Sequence, residues 1–343
     1  MTNVNSIQLG QQITSLLTVG RRQSTYKFAL VMALMDYCIE NLPTNETKSL
    51  KVDIKRLADY VIAYYWPQVE IYGKSPLFHG QSTNTTITKA IQKYKLECPK
   101  FKSASIAKER DAGYLKLQKR IAFELASNPI SYLQSQVSST TGKQHLLYNL
   151  SWEPGKVNQA QLDNLGWSIK LRPGVAWNLA RLEPLLRPFI EMCWHDDIIR
   201  FNKELKEDKL MEFLFGAKRS NVQKVASDLI DLQSGKCFYC EKHLTRKGTE
   251  VDHVLPWSRT YIDGVVNLVA TDKTCNGNKS DTLPVVQHFE RAINRNLSDL
   301  KSIAKNRNFP VMFETTESTG LGLYKVLPPG SQLWEKVNVY QSS

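Results

Sequence analysis

Between residues 237 and 281 the chain concentrates side chains that bind metal or move protons: Cys237-Phe-Tyr-Cys240, then Asp252 beside His253, then Cys275-Asn276-Gly-Asn-Lys279. A Cys-x-x-Cys knuckle lets two thiolates share one tetrahedral zinc, and Cys275 supplies a third sulfur. A redox pair is the other reading of the knuckle. It expects a thioredoxin-like strand and helix, whereas Lys242 to Gly248 read as a charged turn. Asp252 is a hard oxygen donor for Mg2+ or Mn2+, and the imidazole of His253 can take a proton near neutral pH. Asn276 offers a neutral oxygen ligand, and Lys279, about one helical turn on, can meet phosphate charge or stay a plain solvated lysine. This set suits metal-assisted phosphodiester hydrolysis, in which a cation stabilises the charge on phosphorus while the imidazole activates water.

Taken in order, "CFYC", "VDHVLPWSR" and "NLVATDKTCNGNKSDTLP" resemble the motif of the HNH endonucleases, in their cysteine-bearing, zinc-stabilised subgroup. The resemblance spans residues 237–284 and implies a ββα-metal fold. It further implies that His253 is the general base, that Asp252 and Asn276 hold the catalytic cation, and that Asn267 fixes the loop and orients His253. Lys279 and Arg259 become the candidate substrate contacts, and a structural Zn2+ pins the two ends of the motif. The sequence departs from the pattern twice. Asn276 stands where a histidine is usual, which keeps an oxygen ligand. Asp272 stands where a cysteine or histidine is expected three residues before Cys275, so the fourth zinc ligand is either Asp272 or His243. The flanks, from Met211 and through "LYKVLPPGSQLW", are similar to those of stand-alone bacterial HNH proteins.

The elements that must position these residues read as mainly helical. "STYKFALVMALMDYCIENL" is apolar nearly all round a helical wheel, with Ser24 as N-cap, and marks a buried helix. "IKRLADYVIAYYW" reads as a second helix stopped by Pro67. Residues 143–152 read as a strand, Pro173 to about Leu205 as helix, and "VQKVASDLIDLQSG" as a helix ending at Gly235. Helical pattern resumes after Pro284, and "GLYKVLPPGSQLW" reads as extended and turn-rich. Trp257 reads as packing rather than base stacking, and His79, His145, His195 and His288 carry no assigned role.

Composition bounds the rest. With 343 residues, 42% of them hydrophobic and 23% charged, the chain can bury a substantial core without disulfides. Cys38, Cys98 and Cys193 are scattered singly and read as core residues. A formal charge of +12 implies a polyanionic partner such as DNA. The run from 89 to 120, rich in Lys and Arg with interspersed aromatics, reads either as a phosphate-binding surface or as a solvated helical face. No basic head precedes an apolar run, and no segment approaches the ~20 apolar residues of a membrane span, so a cytoplasmic protein without a membrane partner is expected.

The expected architecture is α+β: a mainly α-helical N-terminal region (1–205) that binds DNA or a partner, an HNH nuclease domain (206–300), and a C-terminal extension packed on it (301–343). The expected function is a metal-dependent DNA endonuclease in prokaryotic defence, acting alone or with other proteins of a defence system. One site cuts one strand, so a double-strand break requires a homodimer or two sequential nicks. The rival readings are a mobile-element or RNA-cleaving nuclease and an inactive nucleic-acid-binding scaffold.

Overall fold

The computed structural model describes residues 5–19, 23–81, 85–134, 146–203, 205, 209–216, 222–245 and 248–343, in two units, Met1–Ala217 and Lys218–Ser343. Among the described residues no helix is long and apolar enough to cross a membrane. The architecture is α+β, with helices predominating and four small sheets.

The first unit contains α1 (Ser6–Thr18), α2 (Tyr26–Glu40), α3 (Ile54–Gln68), α4 (Thr86–Glu97), α5 (Ala104–Arg110), α6 (Tyr114–Leu125), α7 (Gln159–Asn164), α8 (Val175–Phe201) and α9 (Leu210–Leu214). Strands β1 (Leu50–Asp53), β4 (Tyr148–Asn149) and β5 (Ser168–Leu171) form one antiparallel sheet in the order β1-β5-β4, and β2 (Ile71–Tyr72) pairs with β3 (Ser75–Pro76). A helix apolar on every side must be enclosed, and α2 is: it packs on both α8 and α3, burying Phe28 to Met35 without a break. Charges inside this core are paired. Arg187 of α8 reaches Asp36 of α2 and Glu183 one turn back, which avoids the cost of a lone buried ion.

Several local expectations shift. The first long helix starts at Tyr26 rather than at a Ser24 cap, because the Thr25 hydroxyl bonds Tyr65 Oη at 2.6 Å and Ser24 bridges to Gly80. Pro67 lies inside the last turn of α3 instead of beyond it. Of the strand read over 143–152 only Tyr148–Asn149 is strand, while residues 143–145, His145 among them, lie outside the described residues. Part of the basic run is structural. Lys95 Nζ donates to the Trp66 carbonyl at 2.7 Å, and Lys108 Nζ to the buried Asp59 at 2.6 Å.

The second unit runs through a 3-10 turn (Val222–Val225) and α10 (Ala226–Leu232) to Gly235, whose φ of +73° needs no Cβ. After the cysteine knuckle, β6 (Thr249–His253) pairs antiparallel with β7 (Leu268–Asp272), joined by α11 (Trp257–Thr260) and a 3-10 turn (Val265–Asn267). There follow α12 (Lys273–Lys279), α13 (Val286–Ile293), α14 (Leu297–Arg307), α15 (Phe313–Val326), and the hairpin β8 (Gln332–Lys336) and β9 (Val339–Ser342). One face of the β6/β7 pair supplies Val251, Leu268 and Ala270 to a core with Leu229, Leu300, Ile303 and Phe309. Each such fully buried aliphatic or Phe side chain contributes about 1.5–3 kcal/mol. The half-buried Arg295 donates to the carbonyls of Leu268 and Val266 at 2.8 and 2.6 Å and so pins the entry to β7; desolvation of its guanidinium lowers its pKa to about 10. The C-terminal hairpin is stitched beside α12, with Trp334 exchanging backbone bonds with Leu283 and Val285 and its Nε1 donating to Asn278 Oδ1 at 2.8 Å.

The segment 322–326, which opens the stretch read as extended, instead ends α15. Two glycines make that helix unpromising by propensity, yet Gly320 is what lets it approach α13: a Cβ there would lie 2.2 Å from the Phe289 ring. Gly320→Ala should therefore destabilise the protein by about 1–3 kcal/mol through overpacking, read as a lower urea midpoint; an unchanged midpoint would show that Phe289 gives way freely.

Candidate active site

The two strands and the helix that follows them sort the reactive side chains by face. Side chains alternate along a strand, so Val251 enters the core while Glu250 and Asp252 face α12. From α12, Asn276 Nδ2 donates to Glu250 Oε2 at 2.6 Å, and Lys279 Nζ lies 3.0 Å from Asp252 Oδ2 and 2.8 Å from the His253 carbonyl. Tyr239 Oη donates to the same Asp252 oxygen at 2.6 Å. Burial, reinforced by the Asp252 charge, holds the Tyr239 hydroxyl well above its ordinary pKa, so it stays a donor.

His253 ends β6 and is 7% exposed. Its Nε2 lies 2.8 Å from Asp263 Oδ1. With Nε2 donating to that carboxylate, the Nδ1 lone pair is the basic one. Asn267 does not touch the imidazole directly. Fully buried, it donates to the carbonyls of Leu255 (3.0 Å) and Ile262 (3.1 Å) and accepts from the Leu255 amide (2.8 Å), closing the connection that carries Asp263.

Lys279 is wholly buried, and in this arrangement its ammonium neutralises Asp252 inside the domain instead of presenting itself to a phosphate in solvent. The reason is geometric: one turn beyond Asn276, α12 runs under the end of β6. Arg259 is half-buried on α11 and close enough to the half-buried Tyr324 to oppose the upward shift that desolvation gives that hydroxyl. Trp257 packs edge-on against Tyr261, with ring centroids 4.8 Å apart.

The knuckle residues converge as a separate cluster. Donor atoms of Cys237, Cys240, Asp272 and Cys275 all lie within 4.8 Å of one another. Asp272 serves two elements, for its Oδ1 accepts from the Thr274 and Cys275 amides as the N-cap of α12 while its Oδ2 lies 3.1 Å from Cys240 Sγ. Burial pushes Cys237 up to about 11 and Cys275 higher still. Burial also opposes ionisation of Asp272, but hydrogen bonds from Cys237, Cys275 and Cys240 outweigh it and hold that carboxyl well below its usual range. Three sulfurs and a carboxylate gathered within 4.8 Å of one another are the donor set of a structural dication of the zinc type. His243 is exposed and lies outside this cluster.

Sequence reasoning missed Asp263, Glu250 and Tyr239. The first sits in "YIDGVVN", where one acid in an apolar connection was the only signal; the other two gain meaning only from the β6/β7 register and from α12.

An antiparallel strand pair followed by a helix, bearing Asp252, His253, Asn267 and Asn276, defines a domain of HNH type. The family model for HNH endonucleases matches residues 237–285. The chain as a whole belongs to the family of a domain of unknown function (DUF8808), whose model matches residues 5–214. No curated protein matches the chain. Among solved structures it is similar to the crystal structure of the Type II-C Cas9 enzyme from Actinomyces naeslundii, at 13% identity over 92% of this chain. The chain spans only 44% of that one, and a TM-score of 0.22 carries no argument about fold or activity.

The purified protein should retain about one zinc per chain after dialysis against a weak chelator. Asp272→Asn, which preserves the helix cap, should lose that zinc more readily than wild type, and His243→Ala should not. Elemental analysis decides between the two ligands, and the reverse pattern would assign the fourth position to His243.

Proposed function

We propose that the protein is a metal-dependent HNH endonuclease that hydrolyses DNA phosphodiester bonds. The observation that carries the reading is the arrangement at the end of β6. An imidazole backed by the Asp263 carboxylate on one side of the strand and a carboxylate facing the ligand-bearing helix on the other stand one residue apart. A domain used only as a scaffold has no need of either.

In this reading Asp252 and Asn276 hold the catalytic Mg2+ or Mn2+, with Glu250 fixing the Asn276 amide nitrogen so that its oxygen is the ligand. The cation supplies charge stabilisation at the scissile phosphate. His253 Nδ1 takes a proton from water as the water oxygen bonds to phosphorus. The bond from phosphorus to the 3′ oxygen breaks and that oxygen takes a proton from solvent water, giving 5′-phosphate and 3′-hydroxyl ends, while His253 returns its proton to solvent. Asp263 holds the ring in the tautomer the step needs and stabilises the imidazolium it forms. Asn267 positions the Asp263 connection, and Lys279 fixes Asp252. Arg259, on the adjoining short helix, is the candidate phosphate contact. The biological role proposed is prokaryotic defence against phage or foreign DNA, tested by phage plating on a host expressing wild type or His253→Ala.

Supercoiled plasmid incubated with wild type in Mg2+ or Mn2+ should be nicked or linearised, and EDTA should abolish this. His253→Ala should lower the rate by about 10²–10⁴-fold, and Asp263→Asn by about 10–100-fold, with little change in KM. Full cleavage by His253→Ala would remove the base assignment. DNA binding without turnover in any divalent cation would leave a scaffold.

A further inference from the structure

The first unit holds a cationic, aromatic-walled pocket that the nuclease reading does not use. On α6, Lys116, Lys119, Arg120 and Phe123 follow one another at i, i+3, i+4 and i+7 and so share a stripe. The opposite face, with Tyr114, Leu117, Ile121 and Leu125, is buried. The stripe lines a cavity of about 270 Å³ whose wall is mainly apolar and whose far side is formed by Gln159 and Trp167. Lys55 of α3 and Lys119 both stand over the Trp167 ring, at 5.2 and 5.5 Å from its centroid. Lys51 of β1 adds a further ammonium close to Gly166. Segments far apart in sequence thus deliver their cations to one place.

Carboxylates cancel only part of this charge, three standing near the five cations. Asp163 lies 4.0 Å from Lys119 but is fastened to Trp167 Nε1 at 2.6 Å; Asp53 accepts from the Lys55 amide; Glu124 lies near Arg120. Lys116 and Arg120 are exposed, and Lys119 is 44% exposed at its side chain. Like charges gathered on one face repel in the free protein, and an anion relieves them.

We infer that this pocket binds a nucleotide unit, an aromatic base seated against the half-buried Phe123 above a floor closed by the buried Trp167, with its phosphate on Lys116, Lys119 and Arg120. The flat apolar wall accounts for the base and the cationic rim for the phosphate. The volume lies just below the roughly 300–1,000 Å³ of ordinary small-ligand sites, and the open side leaves room for a strand to continue beyond the seated nucleotide. The unit is presented by a single nucleic-acid strand or by a free nucleotide. All its residues lie in the first unit, so a nuclease-dead protein would bind as wild type does.

The test uses the full chain in EDTA and a labelled single-stranded oligonucleotide of about 12 nucleotides, with affinity measured by anisotropy across a salt series. Charge reversal at Lys116, Lys119 and Arg120 together should weaken binding by about tenfold or more and flatten the slope of log affinity against log salt by about 0.7 for each phosphate no longer neutralised, with the melting temperature unchanged. Bromouracil photocrosslinks should fall on the peptides containing Phe123 or Trp167. Competition by dAMP but not by inorganic phosphate supports the base as part of the ligand, and dAMP binding as tightly as the strand identifies the free nucleotide as its source. Equal affinity and salt slope in the variant, crosslinks confined to residues 218–343, or a charge-reversal effect on binding to phosphatidylserine vesicles alone would overturn the assignment.

Discussion

The Asp272 carboxylate sets the geometry of the nuclease unit because it is shared. One oxygen caps α12, the other faces Cys240, and the residue itself ends β7 opposite Thr249. Helix start, knuckle and strand register are therefore fixed at a single point. Register matters here more than in most hairpins, since a slip of one residue would turn Asp252 from α12 into the hydrophobic core and Val251 out of it. A dication in the cysteine cluster would lock the strand pair in the only register that leaves Asp252 facing the ligand-bearing helix. The cluster is structural in position yet acts on the chemistry through this chain of constraint.

Asp252 then sits among an ammonium and a phenol. Pairing it with the fully buried Lys279 offsets a desolvation cost that neither ion could bear alone, and removing one partner of such a pair typically costs about 3–5 kcal/mol. The arrangement gives Lys279 a role different from the one its spacing implies. A lysine one turn after Asn276 reads as a phosphate contact, but the helix carries it under the strand, where it also holds the His253 carbonyl. Its charge sets the orientation of the Asp252 carboxylate and of the strand end at His253.

How far the sequence speaks depends on whether a function is carried by spacing or by fold. The knuckle, the Asp-His pair and Asn276 stood out in sequence as candidates because metal ligation demands particular residues at short, regular intervals, and the structure gathers the knuckle cysteines into one cluster. Asp263 was not, since an acid in a connection has no signature until the connection closes and sets its carboxylate 2.8 Å from an imidazole ten residues away. The choice between Asp272 and His243 stayed open in sequence for the same reason, both being suitably spaced, and the structure gathers only the former with the cysteines. The end of α15 over 322–326 escaped because propensity counts Gly320 and Gly322 as losses, whereas packing against Phe289 requires the first of them.

The basic run of the first unit shows the same division from the other side. As a string, residues 89–120 present an excess of positive charge over Glu97, Glu109 and Asp111, but the fold uses Lys95 and Lys108 on a buried carbonyl and on Asp59, where they hold α4 and α5 to α3. The cations of α6 are used differently, because their stripe faces away from the helix side that packs. Lys51 and Lys55, outside the run and unremarkable in sequence, join them through the β1/α3 corner beside Trp167. A local excess of lysine is thus a poor guide to where an anion would bind. Charges that the core consumes must be set aside first, and cations brought in from distant segments must be added before the electrostatic surface of this unit takes its shape.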